Sequence, residues 1–157
     1  MHLTSKSDIE ASAEFVYAAL IDFEGWERAA MRRGADVNRS DKLRQPAPGM
    51  GWDVKFRFRG KDRDLKIKLA ALEKDQKLAF SGEGRMIVGD MTLDLLSLAP
   101  QRTRMTLHLD IRPKTLGARL FMQSLKLAKG RVQTRLNTRL GQLATDIELR
   151  YAATRKR

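Results

Sequence analysis

The sequence predicts an α+β fold: a curved antiparallel sheet of about seven strands, two short helices after the first strand, and a long C-terminal helix packed across one sheet face. Three observations predict this fold. Apolar residues recur at helical spacing after a short strand-like opening, alternate with polar residues from Ala35 to Arg112, and return to helical spacing after Pro113. Short turns favour antiparallel neighbours, and the apolar sheet face needs a large cover, which the last helix can supply.

The first strand ends at Ile9, and two small helices follow it. Ser12 is placed to cap the first helix and Asp22 to begin the second, which Gly34 ends. Trp26 lies on the second helix, where we expect it to plug one end of the sheet. A gate that contacts a ligand is the alternative role for this side chain.

The alternating segments define the strands and their turns. Residues 52–58 alternate apolar and charged side chains, and residues 60–62 supply the turn to the return strand. A shorter strand at 78–80 is closed by the glycines of residues 82–84, and residues 43–51 are predicted to form a loop.

One long helix is predicted from about Thr115 to about Tyr151. Its apolar stripe consists of Phe121, Leu125, Ala128, Val132, Leu136, Leu140, Leu143 and Ile147. Three interior glycines oppose the helix, each by up to about 1 kcal/mol relative to alanine, so burial must stabilise it. These are Gly117, Gly130 and Gly141. Residues 152–157 are predicted to be a frayed basic tail.

The first half of this helix has a second apolar side, formed by Leu116, Leu120 and Leu127. Burial under neighbouring loops is one interpretation of these leucines. A subunit contact, which would make the protein a homodimer, is the other.

The composition indicates one soluble globular domain spanning residues 1–157, with 42% apolar and 32% charged residues. The absence of cysteine excludes disulfides, thiolate catalysis and Cys-ligated metal sites. The N-terminal residues have no apolar signal-peptide core, and no apolar run approaches the roughly 20 residues that span a bilayer. A cytoplasmic location is therefore expected.

Residues 9–27, IEASAEFVYAALIDFEGWE, carry the first strand directly into the small helices, and residues 48–52, PGMGW, enter a strand. In these stretches, and in the terminal helix after Pro113, the chain resembles the SRPBCC superfamily. These are the START/Bet v1-like helix-grip proteins, which include polyketide cyclase/dehydrase-like members. The resemblance in element order covers nearly the whole chain.

The resemblance implies a deep, mostly apolar cavity between the sheet and the last helix. Members of the superfamily use it for lipids, sterols, polyketides or other hydrophobic molecules, sometimes with catalysis. The matching stretches contain no catalytic motif. Residues 82–84 are too short to form the glycine-rich loop of the plant allergens.

The inward-facing apolar residues are predicted to line the cavity, and for each of them a packed core is the alternative. The predicted cavity residues are Trp26, Trp52, Phe56, Phe58, Ile67, Leu69, Phe80, Met91, Leu93, Met105, Leu107 and Leu109, with Phe121, Leu125 and Val132 from the last helix.

His108 alternates out of phase with the apolar residues beside it, so we expect it to face solvent on the convex side of the sheet. General base chemistry in the cavity would need an inward histidine. We therefore predict no catalytic residue, no metal site and no cofactor.

The net charge is +12, with 31 Lys and Arg against 19 Asp and Glu. Cations cluster on two neighbouring strands and on the last helix, where we expect like charges to repel each other. This predicted anion-binding surface consists of Lys55, Arg57, Arg59, Lys66, Lys68, Arg131, Arg135 and Arg139. Its partner would be an acidic lipid, a nucleic acid or an acidic protein; an ordinary solubilising surface is the alternative.

The leading functional hypothesis is binding or carriage of a hydrophobic small molecule, such as a lipid or polyketide, without catalysis. Two alternatives remain open. One is a cyclase- or dehydratase-like enzyme that uses the same cavity, and the other is a basic module that attaches to an anionic surface such as a membrane or a nucleic acid.

Overall fold

The computed structural model describes residues 1–155 and confirms the predicted order of elements. The strands are β1 His2–Ile9, β2 Asp36–Arg39, β3 Gly51–Phe58, β4 Lys61–Glu73, β5 Lys77–Gly84, β6 Ile87–Ala99 and β7 Arg102–Pro113. The helices are α1 Ala13–Leu20, α2 Phe23–Arg32, α3 Leu116–Leu127 and α4 Lys129–Arg155.

The seven strands form one open antiparallel sheet in the order β1-β7-β6-β5-β4-β3-β2. The chain therefore places its first strand beside its last, and β2 lies at the far edge. Residues that are directly paired on neighbouring strands lie on the same face, as the apolar pairs Leu93–Leu107 and Phe80–Met91 show. This apolar concave face is the one that the helices cover.

The caps of the two small helices are the predicted ones. The Ser12 hydroxyl accepts a hydrogen bond from the Phe15 N–H at 3.2 Å, and the Asp22 carboxylate accepts one from the Gly25 N–H at 3.3 Å. Each cap satisfies a backbone donor that has no partner inside its helix.

The prediction of one continuous C-terminal helix is wrong in one respect: the helix is interrupted at Ala128, which separates α3 from α4. The Ala128 N–H turns back to the Leu125 carbonyl at 3.0 Å, and α4 begins at the next residue. The break lets the two parts bury different faces: α3 buries Ala118 and Met122, whereas α4 carries Leu140 and Ile147 into the main core.

The helix α4 also continues further than predicted. Residues 152–155, expected to belong to a frayed tail, are helical. Positions 156 and 157 of that predicted tail lie outside the described residues.

Two turns differ from their predicted positions. The β3–β4 turn consists of Arg59 and Gly60, with φ values of 53° and 76°, as in the two-residue hairpin turns that match strand twist. Residues 61 and 62, predicted as turn, begin β4 instead. The strand β5 runs through the glycines that were expected to end it and stops at Gly84.

The packed core lies where α1 and α4 cover the sheet. Its fully buried side chains are Ile9, Val16, Leu20, Leu69, Leu78, Met105, Ile147 and Thr103. The Thr103 hydroxyl donates to the Ala11 carbonyl at 2.9 Å, so this polar group is satisfied inside the core. The helix α4 packs mainly on β1, where the Ser5 hydroxyl donates to Asn137 Oδ1 at 2.6 Å.

The loop after β2 is organised by the carboxylate of Asp41. This side chain accepts hydrogen bonds from Arg39 Nε at 2.9 Å and from the N–H groups of Leu43 and Gly51, each at 2.8 Å. The Arg39 guanidinium, followed by the Gly51 N–H, holds the pKa of Asp41 well below its usual range. The charged form of Asp41 is thus favoured by folding.

We expect Asp41→Asn to lower the melting temperature by about 4 °C at neutral pH. A carboxyl group with a lowered folded-state pKa stabilises the protein above its unfolded pKa of about 3.9, and the contribution is lost as the pH falls through the folded pKa. The difference between wild type and variant should therefore persist from pH 7 to pH 5 and shrink at lower pH. Thermal denaturation followed by circular dichroism across this range measures it.

Asp36→Asn is the matched control, since Asp36 is exposed at the sheet edge and receives one long contact, from Asn38 Nδ2 at 3.4 Å. It should leave the melting temperature unchanged. Equal melting temperatures for wild type and Asp41→Asn at neutral pH would contradict the role given to Asp41.

Candidate functional site

The concave face has two parts, and the first is the packed core. Five of the predicted cavity residues belong to it, and none of them is more than 7% exposed: Trp52, Leu69, Leu93, Met105 and Leu107. They pack with Leu140, Ala144 and Ile147 of α4. These side chains have almost no surface left to offer a ligand.

The second part of the concave face is half-buried, and we call it the groove. Its floor consists of Phe56, Ile67, Phe80, Met91 and Leu109, and we assign as its roof the half-buried Phe121, Leu125 and Val132 of α3 and α4. The register makes the middle of the floor continuous, because Phe80 lies beside Leu69 and Met91, and Met91 lies beside Leu109. Phe56, Leu109 and the three roof residues lie outside the core cluster of the described chain. All are among the residues predicted to line a cavity.

Two glycines leave the centre of the floor without side chains. Gly82 and Gly89 are directly paired across β5 and β6, in the same phase as Phe80 and Met91. A Cβ added to Gly82 would make ordinary contacts, 3.8 Å from Leu65 Cδ1, whereas one added to Gly89 would lie 2.8 Å from the Asp110 carbonyl oxygen. Gly82 therefore has room for a Cβ, whereas Gly89 does not.

Arg63 is the charged residue that sequence reasoning missed in this groove. It lies opposite Phe56, in the inward phase that continues through Leu65 and Ile67. Its Nη1 is 3.2 Å from Met86 Sδ, and its Nε is buried with no hydrogen-bond partner in the described chain. A buried guanidinium donor without an oxygen acceptor has hydrogen-bonding capacity that a ligand can use.

The hairpin between β3 and β4 is joined to α3 by Arg59. The Arg59 guanidinium lies 4.6 Å from the centroid of the Phe121 ring and 5.6 Å from that of Phe58. Phe58, also predicted as a cavity residue, is 48% exposed beside it. Arg59 was expected on the anion-binding strand surface, but its side chain contacts the groove roof instead.

Two depressions formed by the described residues lie on the outer surface, away from the groove, with volumes of about 390 and 590 Å³. The first is next to Tyr151 and Gln101, and the second lies on α4 between Thr138 and Leu149. Neither is lined by a predicted cavity residue.

The sequence matches no protein-family model and no curated protein. The structure, in contrast, is similar to many solved structures over nearly its full length. The Zhui aromatase/cyclase from Streptomyces sp. R1128 has a TM-score of 0.67 and 13% identity, covering 96% of this chain and 94% of that one. A START superfamily protein from Mycobacterium smegmatis has a TM-score of 0.56 and 13% identity, covering 87% and 97%. The chain has the helix-grip fold of the START/Bet v1-like superfamily.

A third helix-grip structure, TTHA0849 from Thermus thermophilus, has a TM-score of 0.68 and 17% identity and covers 98% of this chain and 99% of that one. The similarity therefore includes every element described above. At these identities it establishes the fold and assigns no ligand.

The end of the helix-grip sheet is plugged by Phe23, which corrects the role predicted for Trp26. Phe23 is 7% exposed, and its ring centroid is 5.1 Å from that of Trp52. Trp26 is 42% exposed, and its indole N–H donates to the Leu20 carbonyl at 3.0 Å. Trp26 thus lies at the surface, held by the turn between α1 and α2.

The predicted repulsion between the cations on the convex side of β3 and β4 is wrong. The register pairs opposite charges on the two strands: Lys55 with Asp64, Asp53 with Lys66, and Arg57 with Asp62. The neighbouring Asp53 carboxyl group raises the pKa of Asp64, because two carboxylates this close disfavour each other's charge. Lys68 lies across from Gly51 and Ser81. Repulsion between strands therefore gives no reason for an anionic partner here.

The remaining predicted cations and His108 are at the surface. Arg131, Arg135 and Arg139 are exposed on α4 and form no ion pair with residues 1–155. His108 is exposed, as predicted, with its Nε2 3.3 Å from Asp94 Oδ2. Among the helices of the described chain, none has both the length and the apolar character required to cross a bilayer.

Proposed function

We propose that the groove binds a hydrophobic small molecule between the sheet and the helices α3 and α4. The observation that carries this proposal is the half-buried apolar floor that adjoins the packed core and in which Gly82 leaves one position without a side chain. A ligand that covers about 200 Å² of this apolar surface would gain about 5 kcal/mol before the costs of association. The similarity in fold to a structure named an aromatase/cyclase and to a START superfamily protein supports a small-molecule site.

Titration with N-phenyl-1-naphthylamine, a neutral apolar fluorophore, tests the proposal. We expect saturable binding with one site per chain and a blue-shifted emission, because the floor and roof exclude water from a bound ring system. Native mass spectrometry of the purified protein, followed by extraction, would identify a molecule acquired from the cell. Emission that rises without saturation would contradict a defined site.

Arg63 is proposed to contact the polar end of the ligand, which makes the ligand an amphipathic acid or a related anion. We expect Arg63→Met to weaken binding of 1-anilinonaphthalene-8-sulfonate by about tenfold, because a charge-assisted hydrogen bond is lost. Binding of N-phenyl-1-naphthylamine, which lacks the sulfonate, should be unchanged. Fluorescence titrations of both probes measure the two affinities.

Arg85→Met is the matched control for Arg63→Met, since Arg85 is exposed in the β5–β6 turn. It should affect neither probe. An equal loss of affinity for both probes in Arg63→Met would show that Arg63 supports the fold of the groove and does not recognise the anion.

A cyclase- or dehydratase-like activity in the same groove is the second candidate, and the unpartnered Arg63 Nε favours it. A guanidinium in an apolar site can polarise a carbonyl group. Incubating the extracted molecule with fresh protein tests the idea: recovery of a product lighter by one water would support an enzyme, and recovery of unchanged ligand would support carriage alone.

A further inference from the structure

The outer face of α3 carries three exposed leucines on one stripe. Leu116, Leu120 and Leu127 are 72%, 57% and 93% exposed. At about 3.6 residues per turn they fall within about 40° of one another around the helix axis. Leu127 is the last residue of α3 and projects at the corner where the chain turns into α4.

These leucines have no role in the folded core. The opposite side of α3 supplies Ala118 and Met122, which are 2% and 5% exposed. The predicted cover of loops over the leucines is wrong, since each of them is open to solvent. A cluster of exposed leucines in a highly charged protein indicates a surface that binds a membrane or another protein.

Cations lie next to the leucine stripe. Arg119 and Lys126 lie along one edge of it on α3, and Lys129 and Arg131 follow at the start of α4. All four are exposed, and none forms an ion pair with the described part of the chain. No acidic residue occurs between Lys114 and Thr145. The face therefore combines an apolar stripe with neighbouring cations and no acidic residue.

We propose that α3 docks this protein on an anionic phospholipid bilayer. Leu116, Leu120 and Leu127 enter the boundary between headgroups and acyl chains, and the neighbouring cations bind lipid phosphates. A second copy of the chain fits this face poorly, because two such faces would bring like charges together. A nucleic acid fits poorly as well, since its phosphates leave the leucines without a partner.

The docking proposal is independent of the groove ligand, but the two share α3. Phe121 and Leu125 on its inner side form part of the groove roof, while the leucine stripe is on its outer side. A bilayer bound to α3 would therefore lie directly over the groove. Failure of the groove to bind N-phenyl-1-naphthylamine would leave vesicle binding by α3 intact.

The absence of cysteine from the chain makes a direct test simple. A nitrobenzoxadiazole label on Leu127→Cys reports whether this corner enters the apolar phase. We expect a blue shift and a several-fold rise in emission with vesicles of phosphatidylcholine and phosphatidylglycerol, reduced by added salt. The same label on Leu149→Cys is the control, because Leu149 is 66% exposed on α4 next to acidic residues; its emission should not change.

Co-sedimentation with the same vesicles tests the side chains themselves. Leu120→Gln combined with Leu127→Gln should reduce the bound fraction about tenfold, whereas Leu149→Gln should bind like wild type. Unchanged emission of the Leu127→Cys label with these vesicles, or equal binding by the double variant, would overturn the proposal. A blue shift that follows protein concentration without lipid would also overturn it, in favour of a second copy.

Discussion

Replacing Ile147 with alanine is expected to lower the free energy of unfolding by about 3 kcal/mol. Ile147 is 0% exposed and anchors α4 in the core cluster with Ile9 and Leu20. The substitution removes three carbon atoms from a site enclosed by a sheet and two helices. Collapse around the space is therefore limited, and the lost contacts are not replaced.

Urea denaturation measures this loss as a lower midpoint with an unchanged slope. Leu149→Ala, two residues away and 66% exposed on the same helix, is the control and should change the free energy by less than about 0.5 kcal/mol. Equal effects of the two substitutions would contradict the packing of α4 against the sheet.

Gly82→Leu is expected to abolish ligand binding while the protein stays folded. The new side chain would stand on the groove floor, on the same side of β5 as Phe80, where its Cβ would meet Leu65 Cδ1 at 3.8 Å. Affinity for N-phenyl-1-naphthylamine should fall at least about 100-fold, equivalent to about 2.7 kcal/mol. Stability should be unchanged or higher by up to about 1 kcal/mol, because glycine weakens a strand.

Ser81→Leu adds the same side chain to the opposite face of the same strand and should leave the affinity unchanged. Fluorescence titration and urea denaturation of both variants separate blocking of the groove from loss of the fold. A Gly82→Leu protein that binds the probe like wild type would place the ligand elsewhere.

The order of elements could be predicted because its signals are local. Ser12 and Asp22 cap their helices through contacts three residues away, and the alternation of apolar residues fixes one face of each strand. The break at Ala128 has no such signal, since the apolar stripe keeps its phase from Leu125 to Val132 across it. The break follows from tertiary packing, in which α3 and α4 bury different faces.

The charge pattern of β3 and β4 depends on a turn that was misplaced. A turn at residues 60–62 would pair Arg59 with Arg63, whereas the actual turn of Arg59 and Gly60 pairs Phe58 with Lys61. With the predicted turn, Lys55 would lie opposite the apolar Ile67, whereas in the structure it lies opposite Asp64. The same error is the reason that Arg63 was not predicted as a groove residue. Arg63 directly follows the predicted turn in the sequence, but it lies within β4, on the groove side.

The division of the concave face into core and groove could not be predicted from alternation. Met91 and Met105 occupy equivalent inward positions on neighbouring strands, yet Met105 is 0% exposed under the helices and Met91 is half-buried. What distinguishes them is the position of α4, which packs mainly on β1 and leaves the β3–β5 side of the sheet less covered.

Methyl NMR of methionine-labelled protein during titration with N-phenyl-1-naphthylamine tests the groove most directly. The seven methionines report on different regions, among them Met91 on the floor, Met86 beside Arg63, and Met50 and Met105 in the core. We predict saturable shifts that are largest for Met91 and Met86 and small for Met50 and Met105. Saturation that leaves the Met91 resonance unmoved, or shifts confined to the exposed Met31, would contradict a ligand site between the sheet and the helices.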